Sequence, residues 1–140
     1  MKKILFALLL ACGALQAAAQ ESRPFATTIH DDEHKIYITM DLYDKDVTVP
    51  GQDVLGQMDG YIGSKQSRSL WMIISSTVID ERTAEIEVVN DYGSEDFTAE
   101  LKVNRDGTYS YRKKDGSTLK FAVKGKWQKI PARVEFRKEK

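Results

Sequence analysis

From His34 onward, apolar and polar residues alternate with a period of two, the spacing of strands that bury one face. No stretch sustains the i, i+3, i+4, i+7 spacing of a helix. Ile36, Ile38, Met40 and Leu42 share one face; Val47 and Val49 follow and lead into Pro50-Gly51, a pair suited to the centre of a type II turn. Further runs cover residues 53–62, 70–79 and 83–89. The most regular places Phe97, Ala99, Leu101 and Val103 on one side and Thr98, Glu100, Lys102 and Asn104 on the other. Tyr109 and Tyr111, then Leu119, Phe121 and Val123, then Val134 and Phe136 complete a set of eight strands, or nine if 47–49 stands alone.

Matching apolar faces across the turns types two of them. A three-residue loop at Arg105-Asp106-Gly107 sets Val103 opposite Tyr109 and Leu101 opposite Tyr111, whereas a two-residue loop would put Arg112 against Leu101. The same test at Lys114-Asp115-Gly116 pairs Tyr111 with Leu119 and Tyr109 with Phe121. Both turns read as type I turns closed by a left-handed glycine, so Gly107 and Gly116 should have positive φ. Short connections between successive strands predict an all-β antiparallel meander. A closed up-and-down barrel is favoured over a two-layer sandwich, because closure removes unpaired edges. Ile36, Met40, Met72, Ile74, Ile86, Leu101, Tyr109, Tyr111, Phe121 and Phe136 are expected inside, enough bulk for a filled lumen rather than a pocket.

The first 33 residues break the pattern. Lys2 and Lys3, the apolar run 4–10 and the small residues ending at Ala17-Ala18-Ala19 form a secretory signal over residues 1–19. The apolar run is too short to span a membrane, and no later run is long enough. Leu9-Leu10-Ala11-Cys12 offers the alternative of lipid anchoring through Cys12. Cleavage after Ala19 leaves a periplasmic or secreted chain without cysteine, hence without a disulfide or thiol nucleophile. Residues 20–33 are polar, contain Pro24 and read as a lead-in linker, with the single barrel domain over 34–140.

Charge narrows the functions. The 140 residues carry 21 basic and 21 acidic side chains, and losing Lys2 and Lys3 with the leader leaves 19 against 21, so no basic field for nucleic acid exists. His30-Asp31-Asp32-Glu33-His34 is the one local concentration of catalytic residue types. In an extended strand both imidazoles would share a side and could ligate a metal, the alternative being a solvated lead-in. The acid cluster at 91–96 lacks the spacing of a calcium loop. With no Gly-x-Ser-x-Gly elbow and no phosphate-cradling glycine loop, no catalytic residue and no cofactor are assigned.

An outward feature is more informative. If Leu70, Met72 and Ile74 face the core opposite Val88 and Ile86, then Trp71, Ile73 and Val89 point outward, and Tyr37 and Tyr43 extend the apolar surface. The polar connection 63–69 sets Lys65 and Arg68 beside it, where loops carry recognition residues. Trp71, Ile73, Lys65, Arg68, Tyr37 and Tyr43 are therefore the candidate binding residues. Trp127, after Gly125, is expected to plug a barrel end.

With its leader, the Gly93-Ser94-Glu95-Asp96 loop before a regular strand and the turn Asn104-Arg105-Asp106-Gly107-Thr108-Tyr109, the chain resembles small exported β-rich proteins of unknown function from Gram-negative bacteria. In outline it is also similar to lipocalin-type barrels, a resemblance that implies a small apolar ligand inside, although their early Gly-x-Trp signature is absent. The expectation is a noncatalytic binding or accessory protein of the cell envelope with an unknown protein or saccharide partner. The alternatives are a metal-dependent enzyme using the His30–His34 segment and a small-ligand carrier.

Overall fold

A computed structural model describes residues 23–138; the expected leader, Cys12 and the first residues of the expected lead-in lie outside them. Strands β1 (Ala26–Asp31) and β2 (Ile36–Asp41) come first, followed by a minor hairpin of β3 (Val47–Thr48) and β4 (Gln57–Met58). The meander continues through β5 (Gly60–Ser64), β6 (Ser67–Asp80), β7 (Thr83–Asn90), β8 (Asp96–Val103) and β9 (Tyr109–Gly116). A second small hairpin, β10 (Lys120–Val123) and β11 (Lys126–Lys129), precedes β12 (Arg133–Lys138). Eight of these close an antiparallel barrel in the order β1-β12-β9-β8-β7-β6-β5-β2.

The expected class and strand number hold, but membership differs in two places. Ala26-Thr27-Thr28-Ile29-His30-Asp31 is a barrel strand rather than a linker: β-branched Thr27, Thr28 and Ile29 suit a pleated surface, and β1 pairs along its whole length with β2. Residues 120–123 leave the wall instead. Gly116 has the expected positive φ of 97°, yet it ends no hairpin, because β9 runs on beside β8 as far as Phe97↔Gly116. A Cβ at Gly116 would lie 2.5 Å from the Asp96 carbonyl oxygen and 2.7 Å from Phe97 Cα. Strand contact therefore demands this glycine. Gly107, with φ 89° and open space around it, is the turn glycine expected, and Val103↔Tyr109 and Leu101↔Tyr111 pair as the face match requires.

Inward side chains fill the barrel. The rings of Trp71, Phe97, Tyr111 and Phe136 step across it with centroids 5.5, 6.4 and 6.0 Å apart in turn, at tilted and edge-to-face angles that suit ring quadrupoles. Ile36, Ile38, Ile62, Ile73, Ile86 and Leu101 pack around them, all buried. At one end Phe25 sits edge-on to Tyr109, whose hydroxyl donates to the Pro24 carbonyl. At the other end Leu119, Phe121 and Ile130 of the β10–β11 segment enter the core, and Trp71 Nε1–H donates to the Lys120 carbonyl at 2.9 Å. The connection 42–59 is tied to β6 through buried Asp59, which accepts from the Ser76 hydroxyl and lies 3.6 Å from Lys45 Nζ.

Gly107→Ala should cost about 1 kcal/mol through φ alone and Gly116→Ala at least about 2 kcal/mol, since a Cβ there also overpacks the neighbouring strand. Urea unfolding midpoints would separate them, and equal losses would contradict the packing at Gly116. Burial raises the phenols of Tyr109 and Tyr111 above their usual range, Tyr111 furthest. The folded state thus holds these protons more tightly than the unfolded chain. Their contribution is complete below about pH 10 and declines as pH rises above it. Unfolding free energy measured against pH should fall on the alkaline side, less steeply in Tyr111→Phe.

Candidate functional site

The outer wall is shaped by irregularity in β6. Its pairing with β7 skips a residue at Ile74, between Ile73↔Val88 and Ser75↔Glu87, and again at Ile79, between Val78↔Ala84 and Asp80↔Thr83. Each β-bulge shifts the alternation by one, so a parity counted back from the β6–β7 turn holds for Ser76 and Val78 and inverts before Ile74. Trp71 and Ile73 consequently face the lumen, 3% and 0% exposed, while Ile74 turns out to solvent at 42%. The expectation that Trp71 and Ile73 form an outward patch is overturned, and with it the assignment of Met72 and Ile74 to the lumen. Beyond Ile73, no strand pairs with β6 on its β5 side among the described residues. The two bulges and the Lys45 ammonium on the Ser76 carbonyl blunt this edge.

The outward strip survives with the opposite parity. Leu70 and Met72 stand on the outer face, Met72 beside Val89 of β7 and Tyr61 of β5. Tyr37 lies edge-on to Tyr61 with centroids 6.2 Å apart, and the His30 ring is 6.2 Å from Tyr37 on the far side. The Tyr37 ring and Leu70 close over Gly63, where a Cβ would meet the Tyr37 ring at 2.5 Å and Leu70 Cδ2 at 3.0 Å. A side chain on Gly63 would prop the strip open. The result is a continuous row of half-buried apolar groups from β2 to β7, with Met72 at its covered centre. Burial of its ring raises the Tyr37 phenol above the usual range, so it presents a neutral hydroxyl at physiological pH.

The other candidates divide. Lys65 and Arg68 are exposed in and beside the β5–β6 turn, and the Lys65 amide donates to the Lys35 carbonyl, which sets the turn against the one joining β1 and β2. Tyr43 does not join Tyr37. It lies past the far end of β2, where its hydroxyl accepts from the Phe25 amide and Arg23 covers its ring at 4.9 Å. That role fixes the entry of β1. Leu70 and Tyr61 went unrecognised as binding residues, although a glycine inside a strand, as Gly63 is, marks a close approach across the sheet.

The histidines separate. His30 lies in β1 against Tyr37, while His34 belongs to the turn that follows, so the extended geometry needed for a shared metal is broken. Asp31, Glu33 and His34 do come together, with one ligand-type atom from each within 4.8 Å of the others. However, both Asp31 oxygens are engaged, Oδ2 with His34 Nδ1 and Oδ1 with the Glu33 amide, which is a turn capped by its own aspartate. In the acidic 91–96 loop, Asn90 Oδ1 likewise accepts from the Ser94 and Glu95 amides. No helix of the described residues is long and apolar enough to cross a membrane. Outward Glu85, Glu100, Arg112 and Glu135 give this part of the barrel wall a charged surface.

Comparison with family models, with curated proteins and with solved structures finds no match to this chain. Trp71→Ala should cost about 3–5 kcal/mol, the range for removing a buried ring, because it opens the lumen and frees the Lys120 carbonyl. Thermal and urea unfolding would measure the loss. A change below about 1 kcal/mol would place Trp71 on the surface after all.

Proposed function

We propose that this chain is an exported, noncatalytic binding or accessory protein that recognises a protein or saccharide partner through the outer strip of Tyr37, Tyr61, Leu70, Met72 and Val89. The observation that carries this reading is the strip itself: an apolar, ring-bearing row on the outside of a barrel whose inside is already full. Rigid aromatic groups with a polar tip are the commonest anchors of recognition surfaces, because they bury much area at small cost in side-chain entropy. Lys65 and Arg68 on the adjoining turn supply charge at the rim, where it orients a partner more than it binds one.

Export is supported by the charged, apolar and small-residue order of residues 1–19, which points to the periplasm or the medium. A carrier for a small apolar ligand would need the lumen that Trp71, Phe97, Tyr111 and Phe136 occupy. A metal-dependent role through the His30–His34 segment would have to draw on Asp31 and His34, which already cap a turn.

The test compares the wild-type protein with Tyr61→Ala and Leu70→Asp, both at partly exposed positions, on immobilised envelope proteins and on saccharide arrays. The expected result is a ligand retained by wild type and weakened at least about tenfold in each variant, with thermal midpoints close to wild type. Retention that ignores both substitutions would refute the strip as the binding surface.

A further inference from the structure

The hairpin of β10 and β11 has two unlike faces. Cross-strand pairing puts Phe121 beside Gln128 on one side and Ala122 beside Trp127 on the other, with Lys120 opposite Lys129. The first side is the stopper: Phe121 is fully buried, and Gln128 Nε2–H donates to the His34 carbonyl at 3.1 Å. The second side is uncovered. Trp127 is 62% exposed, and Lys120 Nζ sits 4.9 Å from the centre of its ring. The expectation that Trp127 plugs the barrel end is thus corrected; Phe121, Leu119 and Ile130 do so, and Trp127 points away.

The hairpin is also basic. Residues 120–129 hold four lysines and no acid, in a chain whose charges otherwise balance. Lys120 is paired with Glu95 at 3.2 Å. Among the described residues, Lys124, Lys126 and Lys129 meet no carboxylate at ion-pair distance, and all three are exposed. Lys129 shares the Trp127 face and Lys124 stands at the tip of the hairpin, whereas Lys126 lies on the Gln128 face beside the turn between β1 and β2, and the one acid against the Trp127 face, Glu95, is paired with Lys120. The hairpin is also held rigidly. Lys124 and Gly125, at φ 52° and 77°, make a tight two-residue turn of the primed kind, and the Trp71 indole grips the strand at Lys120.

We propose that the Trp127 face of this hairpin seats the protein on an anionic lipid bilayer. The occupant follows from the chemistry on the face. An indole with an apolar body and one polar N–H sits best at the boundary between headgroups and acyl chains, and lysines reach from there to phosphates with long flexible stems. All the cations are lysines, point charges suited to a diffuse negative layer, rather than the arginine forks that grip one anion in a fixed geometry. Trp127 stands exposed on a two-stranded hairpin, so the ring offers itself to a surface rather than to a ligand that needs walls. This surface is distinct from the strip of Tyr37 to Val89, and the two can fail separately.

Sedimentation of the purified protein with vesicles of phosphatidylcholine, with and without phosphatidylglycerol, tests the proposal. Binding is expected only where phosphatidylglycerol is present, and it should weaken as salt rises. Lys124→Gln with Lys129→Gln should lower partitioning about thirtyfold, and Trp127→Ala about tenfold. Because Trp71 is buried and Trp127 exposed, a blue shift of the red edge of the emission on adding vesicles would report Trp127 entering the interface. Leu70→Asp should bind vesicles like wild type. Binding that is indifferent to headgroup charge, or that persists in both hairpin variants, would overturn the proposal. So would absence of vesicle binding alongside retention on soluble dextran sulfate, which would assign the lysines to a polyanion instead.

Discussion

The barrel closes through a seam of β1 against β12 that registers at only Ile29↔Lys138 and His30↔Arg137. Two residue pairs contribute little on their own, and an open eight-stranded sheet would expose two long edges. What makes closure favourable is the burial of bulky side chains across the seam. Tyr109 of β9 meets Phe25 just before β1 and donates to the Pro24 carbonyl, while Phe136 of β12 packs on Tyr111. The lumen therefore has to be full for the wall to close. A ligand cavity and this short seam would work against each other, since hollowing the interior would remove the contacts that draw β1 and β12 together.

That constraint explains how much of the fold was legible. Period-two alternation reveals which faces go inward on β2, β7 and β8, because each is regular along its length. It fails where hydrogen-bonding partners rather than patterns decide. β1 has one apolar residue facing the lumen, Ile29, and an inward aspartate, Asp31, whose charge is met by the turn it caps; a run of acids and histidines read as solvent-facing hides such a strand. Residues 119–123 alternate as well as any wall strand, but their apolar side closes the barrel end. The total of eight holds because one strand was missed and another wrongly included. No residue on β6 announces the bulge at Ile74. Shifting an alternation by one residue moved Trp71 and Ile73 from outside to inside and Leu70 and Met72 the other way.

The candidate site was legible to the same degree. An outward apolar strip is implied by a strand greasy on both faces, whichever parity is chosen, and Tyr37 and Val89 belong to it under either choice. What alternation cannot supply is the identity of the β6 residues or the contact of Tyr37 and Leu70 over Gly63, because both depend on the register between β5 and β6. Tyr43 illustrates the converse: it shares parity with Tyr37, yet six residues along β2 carry it past the end of the wall and onto the chain entry.

The two surfaces differ in how they are built, and the difference bears on what each can do. The strip is embedded in the wall, its rings half-covered by one another, so its shape changes only if strand pairing changes. The hairpin stands outside the wall and is fixed by three inserted side chains and by hydrogen bonds from the Trp71 indole to Lys120 and from Gln128 to His34. Trp71 thus links them: its neighbour Met72 forms the centre of the strip, its ring begins the aromatic row in the lumen, and its N–H holds the strand that displays Trp127 on the paired strand. A protein seated by the hairpin would stand with the barrel end against the surface and the strip along its side, leaving the strip open to a partner that approaches in the plane of that surface.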